Sequence, residues 1–294
     1  MSDGGRSGVL LGTIAAPLFV VMWSTGFIGA KFGLPHAEPL TFLSIRFAIA
    51  SAALALWSLA ARSPWPSGVE AAHLSLVGVF LHGGYLGGVF VAIWLGLGAA
   101  VSALVVSMHP ILTVVLARWV LGERMTRVQW AGLALGVAGV VLVVGEKARM
   151  GTGDALGIGL CLGSLLSISV ATLYQKRYCA HAPMRSGTAI QFAAALLALA
   201  PLALLLETNR VDWTGEFVFA LGWLVVVLSL GAVGLLMVLI RQDSAGRVAS
   251  LFFLVPPCTA LMSWALFGET FGIFAIAGIV IAITGVALVM RKPS

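Results

Sequence analysis

Charge is what this sequence has least of. Of its 294 residues 10% are charged while 60% are hydrophobic, against about a quarter charged in a soluble domain. A water-soluble core of this size cannot hide so much apolar surface, and a mean hydropathy of +1.07 makes lipid the solvent. Cysteine is scarce as well. Cys161, Cys179 and Cys258 stand far apart in or near apolar runs with no Cys-x-x-Cys spacing, so neither a disulfide framework nor a zinc knuckle is suggested. Acid is missing from the interior of the apolar runs: all eleven Asp and Glu fall in loops or at run ends. That removes the intramembrane carboxylate with which a proton-driven antiporter usually exchanges a proton for a cationic drug. Nor do Lys and Arg cluster mid-run, as a phosphorylated solute would demand. No cofactor or metal is implied, and the net charge of +6 reads as cytoplasmic loop charge, with no nucleic-acid partner.

Apolar length is what the chain has in abundance. Ten runs are long enough to span a bilayer, at about 9–30, 39–60, 71–94, 98–119, 127–145, 154–176, 186–206, 217–240, 247–267 and 270–290. The first is too long for the core of a signal peptide and lacks a cleavage site, so it reads as a span. Lipid leaves only helices or closed barrels, and none of the runs alternates with a period of two; the chain is predicted all-α and polytopic. Connections are short. With the N-terminus inside, inner segments carry twelve Lys and Arg and outer segments four, Arg46 lying within a run. That bias places both termini in the cytoplasm.

The run pair from Ala103 to Val144 recurs. Adding 146 carries Ala103, Pro110, Thr113, Gly122 and Glu123 onto Ala249, Pro256, Thr259, Gly268 and Glu269. It also carries Ala131, Gly132, Gly139, Val140, Leu142 and Val143 onto Ala277, Gly278, Gly285, Val286, Leu288 and Val289. Eleven identities at one fixed offset over 42 positions mark a duplication, which in a membrane chain points toward transport. The predicted units are residues 1–146 and 147–294. Each holds five spans, an odd number, so the two would cross the membrane in opposite senses and offer two packings of similar energy around a midplane site.

Trp23-Ser24-Thr25-Gly26-Phe27, Pro39 followed by Arg46, and the paired Pro…Gly-Glu hairpins resemble the drug/metabolite transporter superfamily, and within it the EamA family. The resemblance covers essentially the whole chain, and the order and spacing of its motifs carry it. It implies an inner-membrane exporter of amino acids or similar metabolites, with a cavity between helices 1, 3, 4, 6, 8 and 9. Within the family the chain looks most like the YddG-type exporters of aromatic and other apolar amino acids.

Several residues are candidates for the cavity. In the third run a 100° step puts His82, Tyr85 and Val89 on one face and Gly83, Gly84, Gly87 and Gly88 on the other. The imidazole either faces a cavity or bonds a neighbouring helix. His109 precedes Pro110 in mid-run with Ser107 beside it; the proline frees a carbonyl one turn earlier and kinks the helix. The second copy reads Val255-Pro256-Pro257, without the histidine, so the halves are not chemically equivalent. Trp23, about 4–5 Å beyond the midpoint of its run at 1.5 Å per residue, is too deep for an interfacial belt; with Ser24 and Phe27 it is either packing or pocket wall. In the sixth run Ser164, Ser167, Ser169 and Thr172 either bond their own backbone or, with Tyr174 and Gln175, face the solute.

Glu123 and Glu269 read as structural acids. Each follows a glycine (Gly122, Gly268) that ends one helix, and each is expected to satisfy the free N–H groups of the next. Arg46 is expected to snorkel or bond helix-end carbonyls, with a solute carboxylate as the minor alternative. The available lining of imidazole, phenol, indole, hydroxyl and thioether suits a small, near-neutral, partly apolar solute; zwitterionic amino acids qualify, with other metabolites or drugs as the alternative. An intramembrane Ser/His hydrolase is the rival from another class, but no Gly-x-Ser-x-Gly elbow occurs. Ten spans suffice for a carrier within one chain, so a monomer in the lipid bilayer is expected.

Overall fold

The structure, a computed structural model, describes residues 3–121, 126–149, 155–232, 234–235, 239 and 251–289. Eight helices are long and apolar enough to cross a membrane: α1 Ala15–Gly33, α2 Pro39–Ala60, α3 Gly68–Trp94, α4 Ala99–Ala117, α5 Arg127–Glu146, α6 Ala155–Tyr178, α7 Met184–Leu206 and α8 Gly215–Ala232. Among the described residues two shorter apolar helices follow, α9 Phe252–Phe267 and α10 Ile273–Val289. Gly122 and Glu123 lie outside the described residues, so the first predicted hairpin corner does too.

The loops sort to two ends of the bundle. At one end the α1–α2 and α7–α8 connections meet through an isolated bridge, Ala37 with Val211, and the Asp212 N–H donates to the His36 carbonyl at 2.9 Å. At the other end Ser186 Oγ donates to the Pro64 carbonyl at 2.7 Å, and Gln129 Nε2 donates to the Val289 carbonyl at 3.3 Å.

Helix starts at the first end are capped from a distance. The N–H groups of Leu40 and Thr41 donate to the Glu207 carboxylate at 2.8 and 2.7 Å. Those of Gly272 and Ala275 donate to Glu146 at 2.7 and 2.6 Å. In each case an acid at the far end of another helix satisfies donors that the first turn cannot pair internally, at the positive pole of its dipole. This corrects the reading of Glu269. Gly268, at φ +64°, ends α9 in a left-handed cap, with its own N–H and that of Glu269 bonding back to Trp264 and Ser263. α10 begins only at Ile273, and Glu146 already serves its first turn. Glu269 instead pairs with Lys31 of α1.

In lipid the apolar core gains nothing from leaving water, so close backbone approach holds the helices. The most extensive seam joins α5 to α10. A Cβ on Gly132 would lie 2.5 Å from the Gly285 carbonyl oxygen and against Leu288 and Val289. One on Gly278 would lie 2.6 Å from the Gly139 carbonyl oxygen and against Leu142 and Val143. Shifted by 146, the second set of partners is the first. The glycines that reveal the duplication are therefore also the ones that pack the two copies together.

Candidate functional site

A wide π turn over Val79–Gly84 interrupts α3. The Tyr85 N–H reaches the Phe80 carbonyl five residues back, and Ser167 Oγ of α6 donates to the same oxygen at 2.8 Å. The turn holds one extra residue. Gly83 and Gly87 pack on Leu199 of α7, whereas Gly84 and Gly88 receive Ser167 and Ser164 of α6. The glycines thus form two rows against two helices instead of one face.

His82 stacks on Phe192 of α7 with ring centroids 4.2 Å apart, and Phe47 of α2 lies 6.1 Å away. The Gln191 side chain stands beside the imidazole, while Nε2 is buried without a hydrogen-bond partner. Tyr85 is buried in the same core as Phe47 and Phe192.

Arg46 departs from expectation. It is 6% exposed, and its Nε and Nη2 donate to Ser229 Oγ of α8 at 3.4 and 3.3 Å. Neighbouring helices give its depth. Phe42 faces Gly33 of α1, Leu224 faces Gly29 and Leu228 faces Gly26. Arg46 lies one turn, about 6 Å, beyond Phe42, level with Gly29, whereas its partner Ser229 is level with Gly26. The side chain therefore runs inward, toward the middle of α1, and does not snorkel to the nearer surface. The reason is packing: Phe42, Phe90 and Phe217 fill the outward direction.

A second group gathers around Phe252. Trp23 meets it edge-on at 5.1 Å, His109 edge-on at 5.5 Å and Phe19 at 5.3 Å. α4 breaks at Met108 between Ala99–Ser107 and His109–Leu121, where Pro110 removes a donor. The carbonyl so released, four residues before the proline, is that of Val106. Opposite, α9 opens with a 3-10 turn at Phe252–Leu254 ahead of Pro256 and Pro257. Ser24 Oγ donates to Val20 at 2.7 Å and to Val255 at 3.3 Å, tying α1 to this second broken helix.

The remaining candidates lie elsewhere or serve their own helices. Ser107, Ser169 and Thr172 each donate to a backbone carbonyl three or four residues back at 2.7 Å. Phe27 is buried in the main core. Tyr174 bonds His73 Nδ1 at 2.7 Å and meets Tyr178 at a tilt, while His73 stacks on Tyr178, forming a separate ring cluster at the end of α6; Gln175 is half-buried next to it. Sequence reasoning missed Phe252, Phe192, Gln191 and Ser229. Phe252 precedes the second Pro motif by four residues, a signal that could have found it.

At the Glu146 end, α1 and α9 are closed together. The Lys31 ammonium pairs with Glu269 and lies 4.5 Å from the centre of the Phe267 ring, and Phe32 meets Phe267 at 4.9 Å.

The sequence profile of the EamA-like transporter family matches residues 10–145 and again residues 155–291. A probable amino-acid metabolite efflux pump of Salmonella typhimurium is 28% identical over 92% of this chain and 91% of its own length. A protein of the same description from Escherichia coli is 24% identical over 92% of each chain. An uncharacterized transporter of Bacillus subtilis is 27% identical over 93% of this chain and 89% of its own. One crystal structure superimposes with a TM-score of 0.64 at 22% identity, covering 94% of this chain and 95% of that one, a likeness of fold.

Proposed function

Because the chain belongs to the EamA-like transporter family, we propose that it exports small, partly apolar metabolites, amino acids foremost, by alternating access around a pocket shared by its two halves. It is a multi-pass inner-membrane transporter and not an enzyme. The ten apolar helices act as two five-helix units of opposite sense, and one chain is the working unit.

The observation that carries the reading is the mirrored contact of α5 and α10. Where residue i of one unit meets the equivalent of j in the other, j also meets the equivalent of i, which is the mark of a two-fold relation. Between such units lie the Phe252 group, with rings from α1, α4 and α9, and the Arg46 group, with side chains from α2, α3, α7 and α8. The pocket opens between these groups: Trp23, Phe252 and His109 hold the apolar part of the solute, and His82 and Tyr85 face its polar part. By the Lys and Arg bias, the Lys31–Glu269 end is periplasmic, so the pair and the Phe32–Phe267 contact shut the outer side. Opening outward separates them.

Purified protein in liposomes loaded with unlabelled amino acid tests this. Labelled phenylalanine, methionine and threonine are expected to accumulate by counterflow, whereas sugars and cationic drugs are not. Counterflow of drugs without amino acids would favour the alternative solute class. Absence of any exchange would remove the carrier reading.

A further inference from the structure

We propose that Arg46 is the anchor for the carboxylate of the solute, which makes the transported class α-amino acids and related carboxylates. The inference rests on the carrier reading above and adds the residue that selects within it.

The guanidinium reaches the level of Gly26, about 10 Å in from Gly33 along α1, and a cation so far inside an apolar bundle is costly. Structural use does not account for that cost. Its hydrogen bonds to Ser229 are long, 3.3 and 3.4 Å, where charge-assisted bonds run about 2.7–2.9 Å. Ser229 gives its own proton to the Leu224 carbonyl at 3.1 Å, so it offers lone pairs and no charge. Among the described residues the acids on or next to this group's helices all stand at helix ends: Glu207 caps the start of α2, Glu38 bonds Thr208, Glu216 faces His36, and Glu70 sits in the first turn of α3. Among the described residues no acid pairs with this buried cation, and an anion brought to it would offset its desolvation.

An independent observation points the same way. His82 Nε2 is buried and unpartnered, its ring 6.1 Å from that of Phe47, the residue after Arg46, and stacked on Phe192, the residue after Gln191. In its Nδ1–H tautomer that nitrogen offers a lone pair, and the Gln191 carbonyl offers another. A carboxylate on Arg46 with an ammonium on this pair satisfies all three groups and fixes a zwitterion end-on, leaving its side chain to the rings.

The test is competition in the liposome counterflow of labelled phenylalanine, comparing phenylalanine, phenylalaninamide and phenethylamine as inhibitors. In the wild type the acid is expected to compete at least about 10-fold better than the amide, and R46Q should collapse that ratio to within about 2-fold. R46K should keep the preference with weaker binding. S229A separates binding from bracing, because it removes the structural tie and should retain the ratio. The proposal is overturned if folded R46Q, judged by its thermal transition in detergent, keeps the wild-type ratio, or if S229A loses it alongside R46Q. Should R46Q fail to fold, the wild-type arm still decides: equal competition by acid and amide overturns the anchor while leaving the carrier reading intact. Absence of all exchange in the wild type overturns both.

Discussion

Phe252 is the ring that Trp23, His109 and Phe19 share. An aromatic pair is worth about 0.5–1.5 kcal/mol beyond its area. A solute ring that displaces or joins this group should therefore feel its loss strongly. Phe252→Ala is expected to raise the half-saturating concentration for phenylalanine about 10-fold, equivalent to ~1.4 kcal/mol, with a smaller effect on threonine. Counterflow kinetics at matched protein density check this; equal effects on both amino acids would assign Phe252 to packing alone. His109 belongs to the same scale. Its ring meets Phe252 directly beside the break at Pro110, and the second copy, with Val255 at the equivalent position, has no such ring.

Among the elements, the predicted runs agree with the observed helices to within a few residues from the second span to the seventh, because a stretch of about 20 apolar residues has one solution in lipid. The glycine spacing of α5 was equally legible, since small residues declare a close neighbour without naming it. Features that depend on a distant partner, or on a count of residues per turn, could not be read. The π turn at Val79–Gly84 is one such feature, invisible to a 100° projection. The capping acids proved to be Glu146 and Glu207, each serving a helix far along the chain, so no local motif could mark them. Arg46 was legible as an odd charge, but its inward course is set by rings on α3 and α8. Glu146→Gln should weaken the first turn of α10 by about 1 kcal/mol, the size of a lost charged cap. A lower thermal transition in detergent with unchanged solute preference is the expected result.

For the whole molecule, the mirrored seam makes a sharper demand. A Cβ on Gly132 or on its equivalent Gly278 would press on a backbone carbonyl at 2.5 or 2.6 Å, and overpacking of this kind costs about 1–3 kcal/mol or more. Gly132→Val and Gly278→Val should lower the thermal transition by similar amounts; a large difference between them would argue against the two-fold relation. The closed end offers a second experiment. In a background with Cys161, Cys179 and Cys258 replaced, K31C combined with E269C should form a cross-link that abolishes counterflow, and a reductant should restore it. Exchange that survives quantitative cross-linking would show that α1 and α9 need not part there.

A surface whose two edges derive from one stretch of sequence is self-complementary. Under the inverted reading, a lone five-helix progenitor could find its mate in another copy of itself, provided that copy had been threaded into the bilayer the other way up. Such a progenitor would have had to lack a firm preference for either side. The present lopsided distribution of basic residues then dates from after the joining, when a covalent link had already tied the orientation of each unit to that of the other.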